Sequence, residues 1–313
     1  SLVFEGTRCV GVRYMQGNRE ELVRASREVI VSGGAVNSPH LLQVSGIGPQ
    51  AHLESINVPV VQDVPGVGGN LQDHYVVRIA HRMKNVVSIN EISRGMRVVR
   101  EAIRYVVKGN GALTFGVTTA QVFCRSREGL ASPDLQLLFT PASYDASRFG
   151  VFESLPGACI AVCPTRPQSR GSIMANSNDP LARATIAPGY LTADDDYRVL
   201  QAGISHARHI FAQSPLARNS VEETAPGANV ADEASLRDAS RRLGATLYHP
   251  VGTCKMGTDA MAVVDDRLRV RGIDGLRVAD ASIMPVLTTG NTNAPTIMIG
   301  EKAAQMIKED AHA

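Results

Sequence analysis

The chain has 313 residues, enough for one large domain or two of ordinary size. Its 44% hydrophobic and 20% charged residues are typical of a globular protein, and a net charge of +2 gives no reason to expect binding to nucleic acid or to a membrane surface. No apolar run approaches the roughly 18 residues of a membrane-spanning helix, and no basic-then-apolar signal segment stands at the start.

The first part of the chain combines strands with a short helix. Residues 8–14 and 27–32 have the pattern of strands, and the second run ends in Gly33-Gly34. Two glycines there let another group approach the backbone closely, although an ordinary tight turn would also explain them. Ser38-Pro39 has the form of an N-cap followed by proline at the first helical position, and Gly46 would end this helix.

A short apolar strand at 58–61 leads into a loop over residues 63–74. Asn, Asp and His side chains crowd the end of this loop. His74 could be a catalytic group, but a hydrogen bond that holds the loop is the simpler explanation and the one we expect.

The middle of the chain predicts an antiparallel sheet with helices. Residues 92–107 have helical spacing of their apolar side chains, and a second helix is predicted after Thr192, with Asp194 and Asp195 at the positive end of its dipole. His206 and His209 lie on that helix without the further ligands that a metal site needs. Turn residues separate the predicted strands, whose spacing favours antiparallel pairing: 117–124, 135–140, 158–164, 171–175 and 184–187.

The last part of the chain predicts a polar helix from 231 to 243, short strands at 268–271 and 276–279, and a final helix opened by Pro295. The second of these strands ends at Asp280. A carboxylate at a strand end is well placed to accept hydrogen bonds from the hydroxyls of a cofactor.

The five cysteines form no recognisable metal pattern. Cys159 and Cys163 are close in sequence, and their even spacing puts both on one face of a strand. A zinc site would need a second Cys or His pair nearby, which the sequence lacks. We expect free, buried thiols, which suit a reducing compartment, and therefore a cytoplasmic protein.

Three stretches carry a family resemblance. In chain order they are GGAVNSPHLLQVSGIGP at 33–49, LYHPVGTCKM at 247–256 and TTGNTNAPT at 288–296. Together they resemble the glucose-methanol-choline (GMC) family of flavin oxidoreductases, over almost the whole chain from Phe4 to about Ile307. The resemblance is to the C-terminal portion of that family and, within it, to the choline dehydrogenase-like and alcohol oxidase branch.

The resemblance implies a mixed fold of class α/β (α+β). Residues 1–72 and 246–313 would form part of an FAD-binding Rossmann-like domain, and residues 73–245 a substrate domain with a mainly antiparallel sheet. The chain lacks the Gly-x-Gly-x-x-Gly fingerprint that the family carries near its N-terminus, and it opens on Ser1 inside a strand-like run. We therefore expect an N-terminal FAD-binding segment, in cis or as a separate chain, to complete the cofactor site.

The resemblance also assigns the chemistry. His249 would be the base that removes the hydroxyl proton of an alcohol, since that step needs a group with a near-neutral pKa. Asn291 would hold the alcohol oxygen, because an amide can both donate and accept; this His/Asn pair is similar to that of the choline branch. Tyr248 would contact the substrate. The residues expected at FAD are Ser32, Gly33, Asp280, Ala281, Thr292, Asn293 and Pro295, the last three at a helix start that favours the negative charge of the reduced flavin.

The predicted function is FAD-dependent oxidation of a primary alcohol to an aldehyde, by proton abstraction and hydride transfer. Two alternatives stay open: a hydroxynitrile lyase of the same fold, which release of cyanide from mandelonitrile would reveal, and an inactive fragment or binding module, which a flavin absorption band would exclude. A chain with no Trp and 4% aromatic residues favours an uncharged or aromatic alcohol over choline, because trimethylammonium groups usually bind in aromatic cages.

Overall fold

The computed structural model describes residues 1–145 and 150–312. The strands are β1 Leu2–Glu5, β2 Arg8–Gln16, β3 Arg19–Arg24, β4 Val29–Val31, β5 Ile47–Gly48, β6 Gln62–Asp63, β7 Tyr75–Met83, β8 Ala120–Cys124, β9 Leu135–Thr140, β10 Gly157–Pro164, β11 Ser172–Met174, β12 Thr185–Ala187, β13 Ser220–Ala225, β14 Ala245–Thr246 and β15 Leu276–Val278. The helices are α1 Gly34–Val44, α2 Gln50–Ser55, α3 Ile89–Ile92, α4 Gly95–Lys108, α5 Asp194–Phe211, α6 Ser214–Ala217, α7 Glu233–Leu243 and α8 Asn293–His312, with 3₁₀ turns at Ala112–Thr114 and Ala281–Ile283.

The chain forms two compact units. The first comprises Ser1–Asp73, Pro167–Thr192 and Tyr248–Ala313, and the second comprises His74–Arg166 and Ala193–Leu247. The structure thus groups Pro167–Thr192 with the first unit, whereas the sequence analysis assigned 73–245 throughout to a substrate domain. The carboxamide of buried Gln43 ties this segment to α1, since it donates to Ile173 O (2.9 Å) and accepts from the Ala175 N–H (2.7 Å).

A parallel pair of strands lies at the centre of the first unit. β4 pairs with β15 in the register Val29↔Leu276 to Val31↔Val278. Because the strands run in the same direction, their carboxyl ends bring the residues after Val31 next to those after Val278. Around the pair lies an apolar cluster of buried side chains from the first and last of the unit's three segments, including Leu42, Val67, Val251, Val263, Ile283 and Ile299.

The beginning of α1 differs from the sequence prediction. The helix starts at Gly34 rather than at Pro39, which lies in its interior. Ser38 is therefore not an N-cap; its hydroxyl accepts from the Gly33 N–H at 2.9 Å and donates to Asp280. A proline inside a helix leaves the carbonyl four residues earlier without its usual partner, and here the Thr253 hydroxyl donates to that carbonyl, Ala35 O, at 2.6 Å. Gly46 follows the end of the helix with φ +90°, as predicted.

The main sheet of the second unit confirms the predicted antiparallel architecture. Its strands run in the order β13-β7-β10-β9-β8, with β14 on β7, and every pair is antiparallel. All eight residues of β10 are buried. α5 packs against β10 at Gly203, where a Cβ would lie 2.4 Å from Val162 Cγ1. Glycine at this position therefore sets the close approach of helix and sheet.

The helix predicted after Thr192 is present as α5. Three aspartates occupy its first turn, and Leu200, Ile204 and Phe211 form its buried stripe. His206 and His209 on the same helix are exposed. Within residues 1–145 and 150–312, no group of three or more His, Cys, Asp or Glu side chains is arranged to hold a metal ion.

Several strands differ from the sequence prediction. In place of the strand at 58–61, the structure has β6 at Gln62–Asp63, paired with β5. Residues 268–271 form only isolated bridges, such as Arg269↔Arg277. β3 and β13 were not singled out from the sequence, and in β3 every residue is exposed, so no apolar alternation marks it.

Two further features are the state of the cysteines and the length of the apolar helices. Cys159 and Cys163 are buried in β10 as free thiols, as predicted. Over the part of the chain that the structure describes, no helix has both the length and the apolar character needed to cross a membrane.

One carboxylate anchors the C-terminal end of α8. Asp310 accepts from Arg269 (2.6 Å), Arg277 (2.6 Å) and Arg267 (2.8 Å), and the buried guanidinium of Arg277 also pairs with Glu28 at 2.7 Å. The hydrogen bonds from these arginines lower the pKa of Asp310, and the bond from Arg277 has the largest effect.

We expect Asp310→Asn to lower the thermal unfolding midpoint at neutral pH. Because the folded-state pKa of Asp310 lies below its unfolded value, its stabilisation is present above about pH 4 and is lost as the pH falls further. The difference between variant and wild type should therefore shrink in strongly acid solution. Glu309→Gln is the matched control, since Glu309 pairs with Arg267 alone among these arginines; equal midpoints for the two variants at pH 7 would contradict the anchoring role.

Candidate active site

His249 sits in a strained piece of backbone. Tyr248, the residue before it, has φ +62°, a left-handed conformation that costs an L-amino acid roughly 1–2 kcal/mol. The turn sends the two side chains to different environments: Tyr248 is 63% exposed and His249 only 9%. Surrounding contacts must hold this conformation, because the residue would otherwise relax out of it.

Asp73 is the contact that holds the backbone of His249. Its Oδ1 accepts the His249 backbone N–H at 2.9 Å, and its Oδ2 accepts the Tyr190 hydroxyl at 2.5 Å. The carboxylate is buried. Residues from three separate segments of the first unit thus meet at one carboxylate.

The side chain of Asn291 lies against the imidazole of His249. Asn291 Nδ2 is 3.2 Å from His249 Nε2. When the amide nitrogen donates, Nε2 is the unprotonated nitrogen of a neutral ring, a tautomer assigned from the hydrogen-bond network. Burial lowers the pKa of His249 from its ordinary value, and the negative charge of Asp73 opposes part of that change. The lowered pKa favours the neutral ring, and in the tautomer that accepts from Asn291 the lone pair lies on Nε2.

The loop before Asp73 positions the segment that leads to Asn291. The Asn70 amide donates to Gly252 O (3.2 Å) and Pro285 O (3.3 Å). Gln72 Nε2 donates to Pro285 O at 3.1 Å, and its Oε1 accepts the Leu287 N–H at 3.1 Å. Since the same loop forms a two-way backbone bridge between Gln72 and Val251, it binds both segments that carry the His249/Asn291 pair.

Four of the residues predicted to bind a cofactor gather at the ends of β4 and β15. The Ser32 hydroxyl donates to Ala279 O at 3.0 Å. The buried carboxylate of Asp280 accepts from the Gly34 N–H (2.9 Å) and the Ser282 N–H (2.7 Å), in addition to Ser38. The structure therefore places Ser32 and Gly33 beside Asp280 and Ala281. The carboxylate of Asp280 already accepts hydrogen bonds from groups of the chain itself.

The other three predicted cofactor residues lie at the start of α8. The helix begins at Asn293, and Pro295 lies in its first turn. Backbone N–H groups of the first turn have no acceptor within the helix, so the N–H that proline lacks is not needed there. Thr292 is buried, and its carbonyl accepts from the Thr296 N–H and hydroxyl. The amides of this first turn point out of the helix end, an arrangement that favours an anion.

Hydrogen bonds join the segment of His249 to the cofactor-residue cluster. The Gly252 N–H donates to Ala281 O (3.4 Å) and the Cys254 N–H to Ser282 O (2.9 Å). A cavity of about 440 Å³ lies beside β4 and is bordered by Ser32 and Gly33, but not by His249. All of these residues belong to the first unit.

His74 makes a hydrogen bond within the second unit. Its Nε2 lies 3.2 Å from Thr165 O and the residue is fully buried in the second unit, as the structural explanation predicted. The sequence analysis missed the roles of Asn70, Gln72 and Asp73. The crowding of polar residues at the loop end was the available signal, whereas nothing in the sequence marked Tyr190.

We expect Gly252→Ala to destabilise the first unit. Gly252 has φ +92°, and a Cβ there would lie 2.5 Å from Asn70 O. The backbone of the loop must move to make room, at a cost of roughly 1–3 kcal/mol, as for other overpacked sites. Denaturant unfolding measures this loss.

Gly6→Ala is the control for backbone conformation alone. Gly6 has φ +60° with open space where a Cβ would be. Its loss should be the smaller one, about 1 kcal/mol. If both substitutions cost the same, the close packing of Gly252 against the loop contributes nothing.

The family is established by comparison with known proteins. Two models described as GMC oxidoreductase match residues 1–76 and 167–300, more than half of the chain. The chain therefore belongs to the GMC oxidoreductase family, and the resemblance of its three sequence motifs is confirmed.

The similar proteins are oxidases and dehydrogenases with different named substrates. The chain is 42% identical over 311 residues to an oxygen-dependent choline dehydrogenase of Pseudomonas fluorescens, covering 98% of this chain and 54% of the relative. Among solved structures it is similar to formate oxidase of Aspergillus oryzae (TM-score 0.91, 26% identity, 99% of this chain and 59% of the other). That structure concerns the effect of a mutation on FAD modification in the oxidase. The chain is also similar to pyridoxine 4-oxidase from Mesorbium loti (TM-score 0.84, 27% identity, 98% and 56%). The chain spans about half the length of the curated relatives it matches.

Proposed function

We propose that the chain carries the catalytic residues of an FAD-dependent oxidation of a primary alcohol to an aldehyde. The observation that supports this most strongly is the pairing of a buried histidine with an amide, His249 Nε2 and Asn291 Nδ2, at 3.2 Å. One alcohol oxygen placed next to both atoms could donate its proton to Nε2 and accept the amide N–H. Membership of the GMC oxidoreductase family gives this geometry its chemical context.

His249 is the base in this proposal. Only a neutral imidazole can take a proton, and burial favours the neutral form by lowering the pKa. The proton of the hydroxyl moves to Nε2, and the electron pair of the O–H bond stays on oxygen. The carbinol hydrogen leaves as a hydride with the electron pair of the C–H bond, and the pair on oxygen forms the second bond of the aldehyde carbonyl.

Asn291 stabilises the charge that develops on the alcohol oxygen. Its Nδ2 lies 3.2 Å from Nε2, so an alcohol oxygen bound there could accept one of its two N–H groups. An amide does not compete for the proton, because it is not a base at neutral pH. The hydrogen bonds of Asn70 and Gln72 to residues 285–287 fix the position of the segment that leads to Asn291. Tyr248, next in the chain to His249, is 63% exposed and would contact the substrate.

The polar groups at the ends of β4 and β15 and at the start of α8 fit FAD. The start of α8, with Thr292, Asn293 and Pro295, would lie against the anionic edge of the reduced ring. The ribityl and pyrophosphate part would contact residues at the ends of the two parallel strands, namely Ser32, Gly33, Asp280 and Ala281. The carboxylate of Asp280 already binds three protein donors, so this residue would act chiefly by shaping the backbone there. FAD, when bound, supplies the hydride acceptor. A further N-terminal segment would cradle its pyrophosphate.

The substrate proposed is a small primary alcohol. The name of the Pseudomonas fluorescens relative supports choline, while the low aromatic content supports an uncharged or aromatic alcohol. A screen of the complete protein with choline, benzyl alcohol and aliphatic alcohols, run with oxygen and with an artificial acceptor, separates these substrates.

We expect His249→Ala in the complete, flavin-loaded protein to slow flavin reduction at least ~100-fold, because general-base catalysis contributes about 10²–10⁴ in rate. Reduction by the wild type should rise with pH through a pKa below the ordinary 6.5 of histidine, since burial lowers it. Stopped-flow absorbance measures both quantities.

His206→Ala is the matched control for this experiment, because His206 is an exposed histidine of α5. The defect of His249→Ala should shrink at high pH, where more alkoxide forms without a base. A rate within a few-fold of wild type at neutral pH would refute the assignment of the base.

We expect Asn291→Ala to retain flavin but reduce it on the order of 10²–10³ more slowly, the usual cost of one lost donor to a developing oxyanion. Asn291→His keeps an N–H donor at the same place and should recover part of the rate. If Asn291→Ala reduces its flavin at the wild-type rate, the residue does not contact the reacting oxygen.

A further inference from the structure

We propose that Asp73 is the positioning residue of the reaction, which sets the orientation of His249 through its backbone N–H and is itself fixed by the hydroxyl of Tyr190. This inference rests on the proposed function of His249 as a base. It adds two residues that the motif resemblance does not assign.

The geometry of the carboxylate supports the proposal. Asp73 uses its two oxygens in different directions: Oδ1 accepts the His249 N–H at 2.9 Å and Oδ2 accepts the Tyr190 hydroxyl at 2.5 Å. A carboxylate that is held at both oxygens cannot rotate freely. The bond to His249 therefore has a fixed direction as well as a fixed length.

The backbone at Tyr248 explains why such a restraint is needed. With φ +62° at Tyr248, the chain before His249 is in a conformation that relaxes when it is not held. Asp73 binds the amide that follows this strained residue. Without the bond, the imidazole would shift relative to Asn291, and a displacement of about 1 Å at a reacting group can cost on the order of 10² in rate.

Asp73 also acts on His249 by its charge. Its carboxylate is buried, and its negative charge raises the pKa of the ring against the lowering by burial. The phenol of Tyr190 donates its hydroxyl proton to the same carboxylate. Position and charge are thus two separable effects of one side chain.

Three variants of the complete, flavin-loaded protein separate these effects. Asp73→Asn keeps an acceptor oxygen for the His249 N–H but removes the charge. Asp73→Ala removes both, and Tyr190→Phe removes the hydroxyl that fixes the carboxylate. The rate of flavin reduction is measured from pH 5 to 9 for each variant, together with flavin content and the thermal midpoint.

We expect Asp73→Ala to lower the high-pH rate by about 10²-fold with flavin retained, and Tyr190→Phe to lower it by a smaller factor. Asp73→Asn should recover most of that loss, to within about five-fold of wild type. The acid limb of the Asp73→Asn profile, where the rate rises as His249 loses its proton, should move to lower pH. The reason is that the variant lacks the negative charge that raises the pKa of His249. A residue with a merely structural role would change the midpoint but leave the limb where it is.

His249→Ala, measured in parallel, distinguishes the possible failures. If His249→Ala is slow while Asp73→Asn keeps the wild-type acid limb and Asp73→Ala the wild-type rate, the positioning role is wrong and the base assignment stands. If His249→Ala is itself fast, the proposed function fails first. Should Asp73→Ala not fold, the high-pH rate of Tyr190→Phe decides the positioning role, which a wild-type rate would overturn, and the acid limb of Asp73→Asn decides the charge effect.

Discussion

The polar side chains of Asn70, Gln72 and Asp73 hold together two segments that lie about forty residues apart in sequence, one carrying His249 and the other Asn291. Their partners are backbone groups, so the restraint acts on the course of the chain rather than on individual side chains. The polar groups of Gln72 and Asp73 are buried, and each would cost about 1–3 kcal/mol if it lost its partner. Apolar packing alone is non-directional and would not fix the distance between an imidazole and an amide.

The same loop also sets the electrostatic state of His249. Burial alone would make the ring a weak base, because it penalises the charged form. A carboxylate nearby restores part of the basicity that burial removes. The proton acceptor of the proposed reaction must be neutral before the step and stable as a cation after it, and two opposing influences of this kind suit both requirements.

Much of the fold could be predicted from the sequence, and the reasons for success and failure are physical. The stripe Leu200, Ile204 and Phe211 has the period of a helix and aspartates at its start, so α5 is visible in the sequence. The start of α1 was misjudged because Ser38-Pro39 matches a capping pattern, while the tertiary hydrogen bonds of Ser38 and Ala35 override it. β3 shows no alternation because both of its faces are exposed.

The candidate site shows the same division. His249 and Asn291 lie in motifs that are contiguous in sequence, so their resemblance to a family is enough to single them out. Asp73 and Tyr190 act on His249 from segments 176 and about 60 residues away. No local pattern can show such a contact, because it depends on how loops return to one point in the folded chain.

Pro39 and Thr253 make two distant parts of the chain depend on each other. The carbonyl of Ala35 needs a donor only because proline occupies the position four residues later, and the Thr253 hydroxyl is that donor. Loss of the hydroxyl is costly while Pro39 is present, but it becomes tolerable once another residue at 39 restores the helical N–H. The order in which substitutions arise at these two positions therefore decides which are accepted, so that relatives of this chain should carry matched pairs of residues there.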